Sequence, residues 1–336
     1  MEERTDIHDE PNELYEHFRF VVDKGQAMLR IDKYLFAKIA NASRNRIQNS
    51  ARAGNILVND TPVKPNHKVR PSDVISIVLA FPPKDTEIYP EEIPVEVVYE
   101  DDEVLVVNKA AGMVVHPGHG NFTGTLLNAL AWRYRDTETK TYLCHRIDKD
   151  TSGLLLLAKD EVSQARLAKQ FFDHTIGRRY EALVWGNLKE DEGTITGNIA
   201  RDPKNRLVMK VFDDPETGRH AVTHYKVMER FGYVTLVGCT LETGRTHQIR
   251  VHMKHIGHPL FNDESYGGDV ILKGTTFAKY KQFVQNCFSL MPRQALHAKS
   301  LGFLHPASGK AVYFDSELPP DMEGVLEKWE NYINYN

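Results

Sequence analysis

Cysteine is scarce in this sequence: 336 residues hold three, Cys144, Cys239 and Cys287, far apart and with no CxxC pair. That excludes a disulfide scaffold and fits reduced thiols in a cytoplasmic protein. No apolar run approaches the roughly twenty residues that cross a bilayer, so no membrane association is expected. The opening stretch "MEERTDIHDEPNELYEHF" lacks the apolar core of a signal peptide. HExxH is absent. "HMKHIGH" sets His252, His255 and His258 at three-residue spacing near His247, but the spacing runs through Gly257 at a helix end, so no metal is expected. "GHGNFTG", residues 118–124, is glycine-rich but lacks the GK[ST] of a phosphate-binding loop. There is no internal repeat and no low-complexity tract. What remains is a chain with 41% apolar and 26% charged residues, the balance of a soluble globular protein long enough for two domains.

The net charge of −4 is unevenly spread. Residues 28–72 carry nine Lys/Arg (Arg30, Lys33, Lys38, Arg44, Arg46, Arg52, Lys64, Lys68, Arg70) against Asp32 and Asp60, a balance of +7 inside an acidic protein. A compact basic segment of this kind is the electrostatic footprint of a polyanion binder, most often of nucleic acid. Residues 1–20, with seven acids and two arginines, read as an acidic flexible tail. Residues 81–94, with four prolines and clustered acids, read as a linker.

Between tail and linker, Ile31, Leu35 and Ile39 repeat at helical spacing, Ser43 is an N-cap for a second helix, and Gly54 its stop. "NILV", a turn at 59–62 and "DVISIVL" complete a small helix-helix-strand unit over residues 28–80. From residue 95 to 330, strands outnumber helices and mostly follow one another directly. "EVLVVNK", a turn and second strand in "AAGMVVHPG", "RRYEALVWG", the pair "HAVTHYKVMERF" and "GYVTLVGCTLE", "ALHAKSLGFLHP" and "KAVYFDSEL" are strands. Helices are expected at "GTLLNALAWRY", with Leu126, Leu127, Leu130 and Tyr134 on one face, at "VSQARLAKQFF", and at "THQIRVHMKHI", with Ile249, Met253 and Ile256 facing a core. This order predicts an α+β fold with a mixed or antiparallel sheet.

The stretch "CHRIDKDTSGLLLLAKD", residues 144–160, sets two carboxylates, a lysine and an arginine directly before an apolar strand. Locally, Asp148 is a turn acid, and Asp150 or Thr151 would serve as well. A chemical role needs a cation to keep the carboxylate ionised and aimed. Arg146 lies two residues away. Arg245, in "LETGRTHQIRVH", stands between a strand end and a helix start, where a guanidinium can project into a cleft and grip a carboxylate. The basic loop "RDPKNRLVMK", residues 201–210, offers Arg201, Lys204 and Arg206 as phosphate contacts.

"HRIDKDTSGLLLLAKD" resembles the HRLDxxTSG signature of the RluA-type RNA pseudouridine synthases. "VNKAAGMVVHPG" is similar to that family's KPxGxxVHP motif, "RRYEALVWG" to its K-x-Y-x-A-x-V-x-G strand, and "TGRTHQIRVHMKHIGHPLFNDESYGG" and "RQALHAKSLGFLHP" to its last two blocks. The five motifs stand in the family's order over residues 103–315. "LRIDKYLFAKIANASRNRIQNSARAGNILVND" resembles the alpha-L RNA-binding motif of ribosomal proteins. The departures are Ile147 for leucine, Ala110 for proline, Arg178 for the common lysine, Asn262 for a glycine before Asp263, and Tyr142-Leu143-Cys144 in the approach to the signature.

The resemblance implies isomerisation of uridine in RNA to its carbon-glycoside isomer by a catalytic domain at 95–330, without cofactor or metal. Asp148 would be the nucleophile, at carbon 6 of the base or at the anomeric carbon. Arg245 would hold it. Tyr180 would pack on the base and help remove the carbon 5 proton, and Arg146 would fill the space that the uridine leaves. Arg30, Lys33, Arg44, Arg46 and Arg52 would bind RNA in the N-terminal module. The expected substrate is large-subunit ribosomal RNA, free or in a pre-ribosomal particle, and the expected state a cytoplasmic monomer. Two other readings use the same residues: a non-catalytic RNA-binding ribosome-assembly factor, and an RNA hydrolase using Asp148.

Overall fold

The computed structural model describes residues 15–39, 42–79, 88–117, 121–205, 208–214 and 216–335. The chain divides into two compact units, Met1–Glu87 and Ile88–Asn336. The first contains β1 (Tyr15–Val21), β2 (Leu29–Arg30), α1 (Ile31–Lys38), α2 (Arg44–Arg52), β3 (Ile56–Val58), β4 (Thr61–Pro62), β5 (Lys68–Val69) and β6 (Val74–Leu79). Its sheet runs β1-β6-β3-β4, with β2 and β5 as a separate pair. Ile31, Leu35, Ile47, Ile56 and Ile75 form the core between helices and sheet. The Ser43 hydroxyl caps α2 by accepting the Arg46 N–H at 3.2 Å, and Gly54 ends it at φ 81°.

Two boundaries differ from the sequence reading. Residues 15–20, expected in the acidic tail, lie in β1, which pairs antiparallel with β6 from Val21↔Val74 to Tyr15↔Leu79. The acids dominate the composition there, but "FRFV" supplies the alternation of a strand, and Val22 behind it is buried. Residues 1–14 lie outside the described residues. Of the expected linker, 81–87 also lies outside them. Its second half is fastened to the larger unit: Glu91 N–H donates to Asn128 O, Asn128 Nδ2 to Tyr89 O, and Gly124 N–H to the Glu91 carboxylate.

The larger unit contains β7 (Glu96–Glu100), β8 (Val104–Lys109), α3 (Leu126–Arg133), β9 (Tyr142–Leu143), β10 (Ser152–Ala158), α4 (Glu161–Phe172), β11 (Gly177–Trp185), β12 (Glu192–Arg201), β13 (Met209–Phe212), β14 (Arg219–Arg230), β15 (Val234–Leu241), α5 (Gln248–His255), α6 (Ala278–Leu290), β16 (Leu296–Leu304), β17 (Ala311–Asp315) and α7 (Pro320–Tyr335). One sheet runs β13-β12-β14-β15-β11-β16-β10-β8-β7, with β17 on β16 and β9 on β10. The β10–β16 pair is parallel and its other neighbours antiparallel, so the sheet is mixed and the fold is α+β.

β10 explains its leucine run. Leu155 and Leu157 enter the core that holds Leu126, Leu130 and Ile249, while Leu154 and Leu156 enter the opposite one with Leu167 and Leu301. A strand covered on both faces reads as continuously apolar. Each buried leucine contributes about 1.5–3 kcal/mol, so the strand is an anchor for the turn before it.

Residues 110–117, expected as turn and strand, form no strand. Ile249 and Met253 are buried on α5 as expected, but Ile256 is the residue after the helix and is 36% exposed. α6 and α7 were not foreseen. They cover the other face of the sheet with Tyr280, Val284, Phe288, Val325 and Trp329 against Trp185 and Phe261.

Candidate active site

Asp148 sits in the turn between β9 and β10. Its carbonyl accepts the Thr151 N–H at 3.2 Å. At Gly153 the chain takes φ +112° and lies against β16; a Cβ would come within 2.3 Å of the Ala298 carbonyl oxygen, so only glycine fits. Three further ties fix the turn. Lys109 Nζ, at the end of β8, donates to the carbonyls of Lys149 (2.9 Å), Ala110 (2.8 Å) and Met113 (2.8 Å). Arg293 Nη1 donates to Asp150 O at 3.1 Å, while Asp321 holds the same guanidinium in bidentate fashion at 2.7 and 2.8 Å. The Ser152 hydroxyl pairs with His297 Nδ1 at 2.9 Å. Burial pulls Lys109 down to about 7, against the charges of Asp150 and Asp148, yet three carbonyls take all three ammonium protons.

The cation beside Asp148 is Arg250, on α5. Its Nη1 donates to Asp148 Oδ2 at 3.0 Å, and its Nε and Nη2 grip Asp263 at 2.7 and 2.8 Å. Asp263 is fully buried, and the Arg250 side chain is 7% exposed. Burial opposes the guanidinium charge, but the hydrogen bonds and charge of Asp263, then Asp148, outweigh it and raise the group. The Tyr266 ring lies 5.0 Å from the guanidinium carbon. The second carboxylate oxygen, Oδ1, faces His247 Nε2 at 3.9 Å. His247 caps α5 in a left-handed conformation, φ 56°, and its Nδ1 meets the Tyr266 hydroxyl at 3.0 Å. Burial lowers His247, although Asp148 works against this.

Arg245 does not hold Asp148, contrary to the sequence expectation. It stands in the turn before α5, and its Nε donates to His220 O at 3.0 Å. Five residues and the left-handed turn at His247 separate it from the arginine that does. A guanidinium between buried Ile249 and Val251, with an aspartate to pair at 263, was the available sign.

Asp148, Arg146, Tyr180, Arg245 and Arg250 line one cavity of about 530 Å³. That volume is in the range of small-molecule pockets and accommodates a nucleoside. Arg146 is exposed at its edge, and Tyr180, on β11, is 7% exposed. Burial raises the Tyr180 phenol; the Arg178 charge opposes the rise and the Asp148 charge adds to it. Four arginines, Arg146, Arg178, Arg245 and Arg250, face this cavity against one acid. Outside it, Arg201 and Lys204 are exposed at the end of β12, and Arg206 lies outside the described residues.

In the smaller unit, Lys33, Arg46 and Arg52 are exposed on the two helices. Arg30 and Arg44 each turn one edge to Asp32, at 3.0 and 3.1 Å, and remain 42% and 45% exposed. Asp32 is fully buried and also accepts from Gln48 Nε2 at 2.7 Å. It therefore joins the start of α1 to α2, a role not foreseen.

The histidines of "HMKHIGH" do not converge. His252 is buried with Nδ1 on Thr223 Oγ1, His258 binds Trp185 O, and His255 is exposed. Among the described residues one cluster has metal-ligand spacing: Asp101, Glu103 and His305. There His305 Nδ1 accepts the N–H groups of Ala307 and Ser308, which puts its proton on Nε2, directed at Asp101 Oδ2 2.8 Å away. Neither ring nitrogen keeps a lone pair for a metal.

Residues 103–255 match the family model described as RNA pseudouridylate synthase, and residues 29–75 match the S4 domain. An uncharacterized RNA pseudouridine synthase of Chlorobaculum parvum is 45% identical over 315 residues, covering 91% of this chain and 96% of the relative. The ribosomal large subunit pseudouridine synthase D of Zymomonas mobilis is 41% identical, covering 88% and 92%. Among solved structures, human RNA pseudouridylate synthase domain containing 1 matches with a TM-score of 0.53 at 24% identity, over 73% of this chain and 97% of that one, a likeness of fold. No helix among the described residues is long and apolar enough to cross a membrane. A carboxylate held by an arginine beneath an aromatic, in a cavity of nucleoside size, thus lies in a chain that belongs to the RNA pseudouridylate synthase family and is an RNA pseudouridine synthase.

Proposed function

We propose that this enzyme isomerises uridine in large-subunit ribosomal RNA, with Asp148 as its nucleophile. The observation that carries the reading is the asymmetry of that carboxylate. Oδ2 is tied to Arg250, which is locked on Asp263, while the Asp148 side chain remains 19% exposed on the cavity. A nucleophile fixed in this way loses little freedom on reaching the reacting atom. The uridine leaves its stack to enter, at a cost of a few kcal/mol, and Arg146 at the cavity edge takes the vacated place. Asp148 adds to carbon 6 of the base or to the anomeric carbon, and the bond from N1 to the ribose breaks. The base turns, carbon 5 bonds to the ribose as the bond to Asp148 breaks, and the carbon 5 proton leaves while N1 takes up a proton, so that the product is an isomer of the substrate. Tyr180 packs on the base and is the candidate for assisting that proton transfer. Arg245 contacts a phosphate.

Residues 28–80 form the RNA-binding module, through Lys33, Arg46, Arg52 and the outer edges of Arg30 and Arg44. Residues 201–210 add phosphate contacts within the catalytic domain. The ribosomal substrate is supported by the S4 match and by relatives named ribosomal large subunit pseudouridine synthase D. The protein acts as a monomer in the cytoplasm, a setting that its three unpaired cysteines suit.

The test is a pseudouridine map of total RNA from cells with and without the protein. Sites that vanish from large-subunit ribosomal RNA are expected. An unchanged ribosomal map with losses confined to transfer RNA would overturn the substrate. RNA cut or changed in mass would point to a hydrolase instead.

A further inference from the structure

Arg178 is a buried charge that has no ionic partner among the described residues. It precedes Tyr180 by two residues on β11, so both side chains turn to the same cavity. It is 9% exposed. Its Nε is buried without a hydrogen-bond partner, and among the described residues no carboxylate pairs with it. The guanidinium carbon lies 5.3 Å from the Phe171 ring, and that ring packs on His145 at 4.8 Å. His145 Nε2 accepts the Leu156 N–H, and burial, then Arg178, lowers the imidazole to about 3, so His145 stays a neutral ring beside the arginine. On its other side is Gly244, where a Cβ would come within 2.7 Å of Nη1. The backbone of Gly244 is not in the left-handed region, so the missing side chain leaves room for the guanidinium.

A buried, unpaired arginine is costly, and the cost is removed when an anion enters. Asp148 is already committed to Arg250. Uracil is neutral and would leave the charge uncompensated. A phosphodiester carries the charge, and its paired oxygens match the fork of the guanidinium. We propose that Arg178 is a second phosphate-binding residue of the active-site cavity, beside Arg245, taking the phosphodiester next to the everted uridine and so setting the depth to which the nucleotide enters. This rests on the reading of the cavity as the uridine pocket.

The test is a double-mutant cycle between protein and RNA. The probe is a synthetic stem-loop carrying a uridine found by the map above. Its phosphate 5′ or 3′ of the target is replaced, one at a time, by a neutral methylphosphonate. Each neutral linkage has a deoxyribose on its 5′ side, and the same deoxyribose with an ordinary phosphate is the control. At one of the two linkages, Arg178→Gln and the neutral linkage should each lower kcat/KM about tenfold, the loss of one charge-assisted hydrogen bond. Together they should lower it no more than about twofold further, since both remove the same interaction. Arg178→Lys should regain part of the loss on the natural linkage. Gly244→Ala, which displaces the guanidinium, should reproduce it. Losses that multiply independently at both linkages would overturn the proposal, as would an Arg178→Gln enzyme within twofold of wild type. A variant that merely folds poorly would lose rate on every RNA and keep the full methylphosphonate effect, which also counts against the proposal. A wild-type enzyme that modifies no uridine would sink the uridine pocket itself, and this inference with it.

Discussion

Arg250 and Arg245 stand five residues apart in one motif, and the fold gives them different work. Arg250 bridges Asp263 and Asp148 inside the protein; Arg245 reaches a backbone carbonyl near the surface. Removing Arg250 leaves two carboxylates without their cation, one of them fully buried. Arg250→Ala should therefore cost about 3–5 kcal/mol of stability and abolish turnover. Arg245→Ala should change stability by less than about 1 kcal/mol and act mainly on RNA affinity. Thermal melts and single-turnover rates of the two variants check this; the opposite ranking would return the supporting role to Arg245. Asp148 and Tyr180 were picked out as candidates because each is the distinctive residue of its own motif, and the fold brings both to one cavity. The arginine was not, because linear spacing does not show the left-handed turn at His247 that carries Arg245 away from the carboxylate.

At the scale of elements, buried charge joins pieces that hydrophobic spacing alone does not orient. Asp32 ties α1 to α2 through Arg30, Arg44 and Gln48. Burial acts to raise its carboxyl, but these hydrogen bonds prevail and bring it down to about 2 from an ordinary 3.8. A carboxyl depressed in the folded state stabilises above its unfolded value. That stability is full above about pH 4 and is lost as pH falls through about 2. Protection factors of the α1 and α2 amides, taken against the intrinsic exchange rate at each pH, should fall across that window, and Asp32→Asn should be less protected at pH 7 and show a much weaker acid response. Equal acid profiles for both proteins would refute the linkage. Capped helices and alternating strands were readable: Ser43 and Gly54 bound α2 as their chemistry predicts. Two kinds of element were not. β1 was hidden by the acids around it, since composition outweighed the alternation of a short strand. Residues 110–117 looked like a strand because of Val114 and Val115, but Gly112 takes φ 82°, and the Lys109 ammonium draws the carbonyls of Ala110 and Met113 towards one point. α6 and α7 carry a legible apolar spacing, at Tyr280, Val284 and Phe288 and at Met322, Val325 and Trp329, but α6 lies between the last two motifs and α7 after them.

For the whole molecule, the chemistry is assigned to the larger unit and much of the affinity for structured RNA to the smaller. The residues proposed for the reaction lie within 146–263, and the basic module lies before residue 80. Deleting residues 1–87 should weaken binding to structured ribosomal RNA and flatten its log-affinity against log-salt slope by about 0.7–0.9 for each phosphate that the truncated protein no longer neutralises. Turnover of a short stem-loop should fall less. Salt titrations of both forms decide: identical slopes would mean that the module does not touch RNA, and a folded but inert larger unit would place it in the active site. As a whole, this protein is proposed to isomerise uridine through Asp148. The most direct measurement of this is tritium release from ribosomal RNA labelled at carbon 5 of uridine, taken from cells that lack the protein, with wild type and Asp148→Asn side by side. Wild type should release tritium and leave pseudouridine in RNA of unchanged mass, while Asp148→Asn binds the RNA and releases none. An Asp148→Asn enzyme turning over within tenfold of wild type would contradict it.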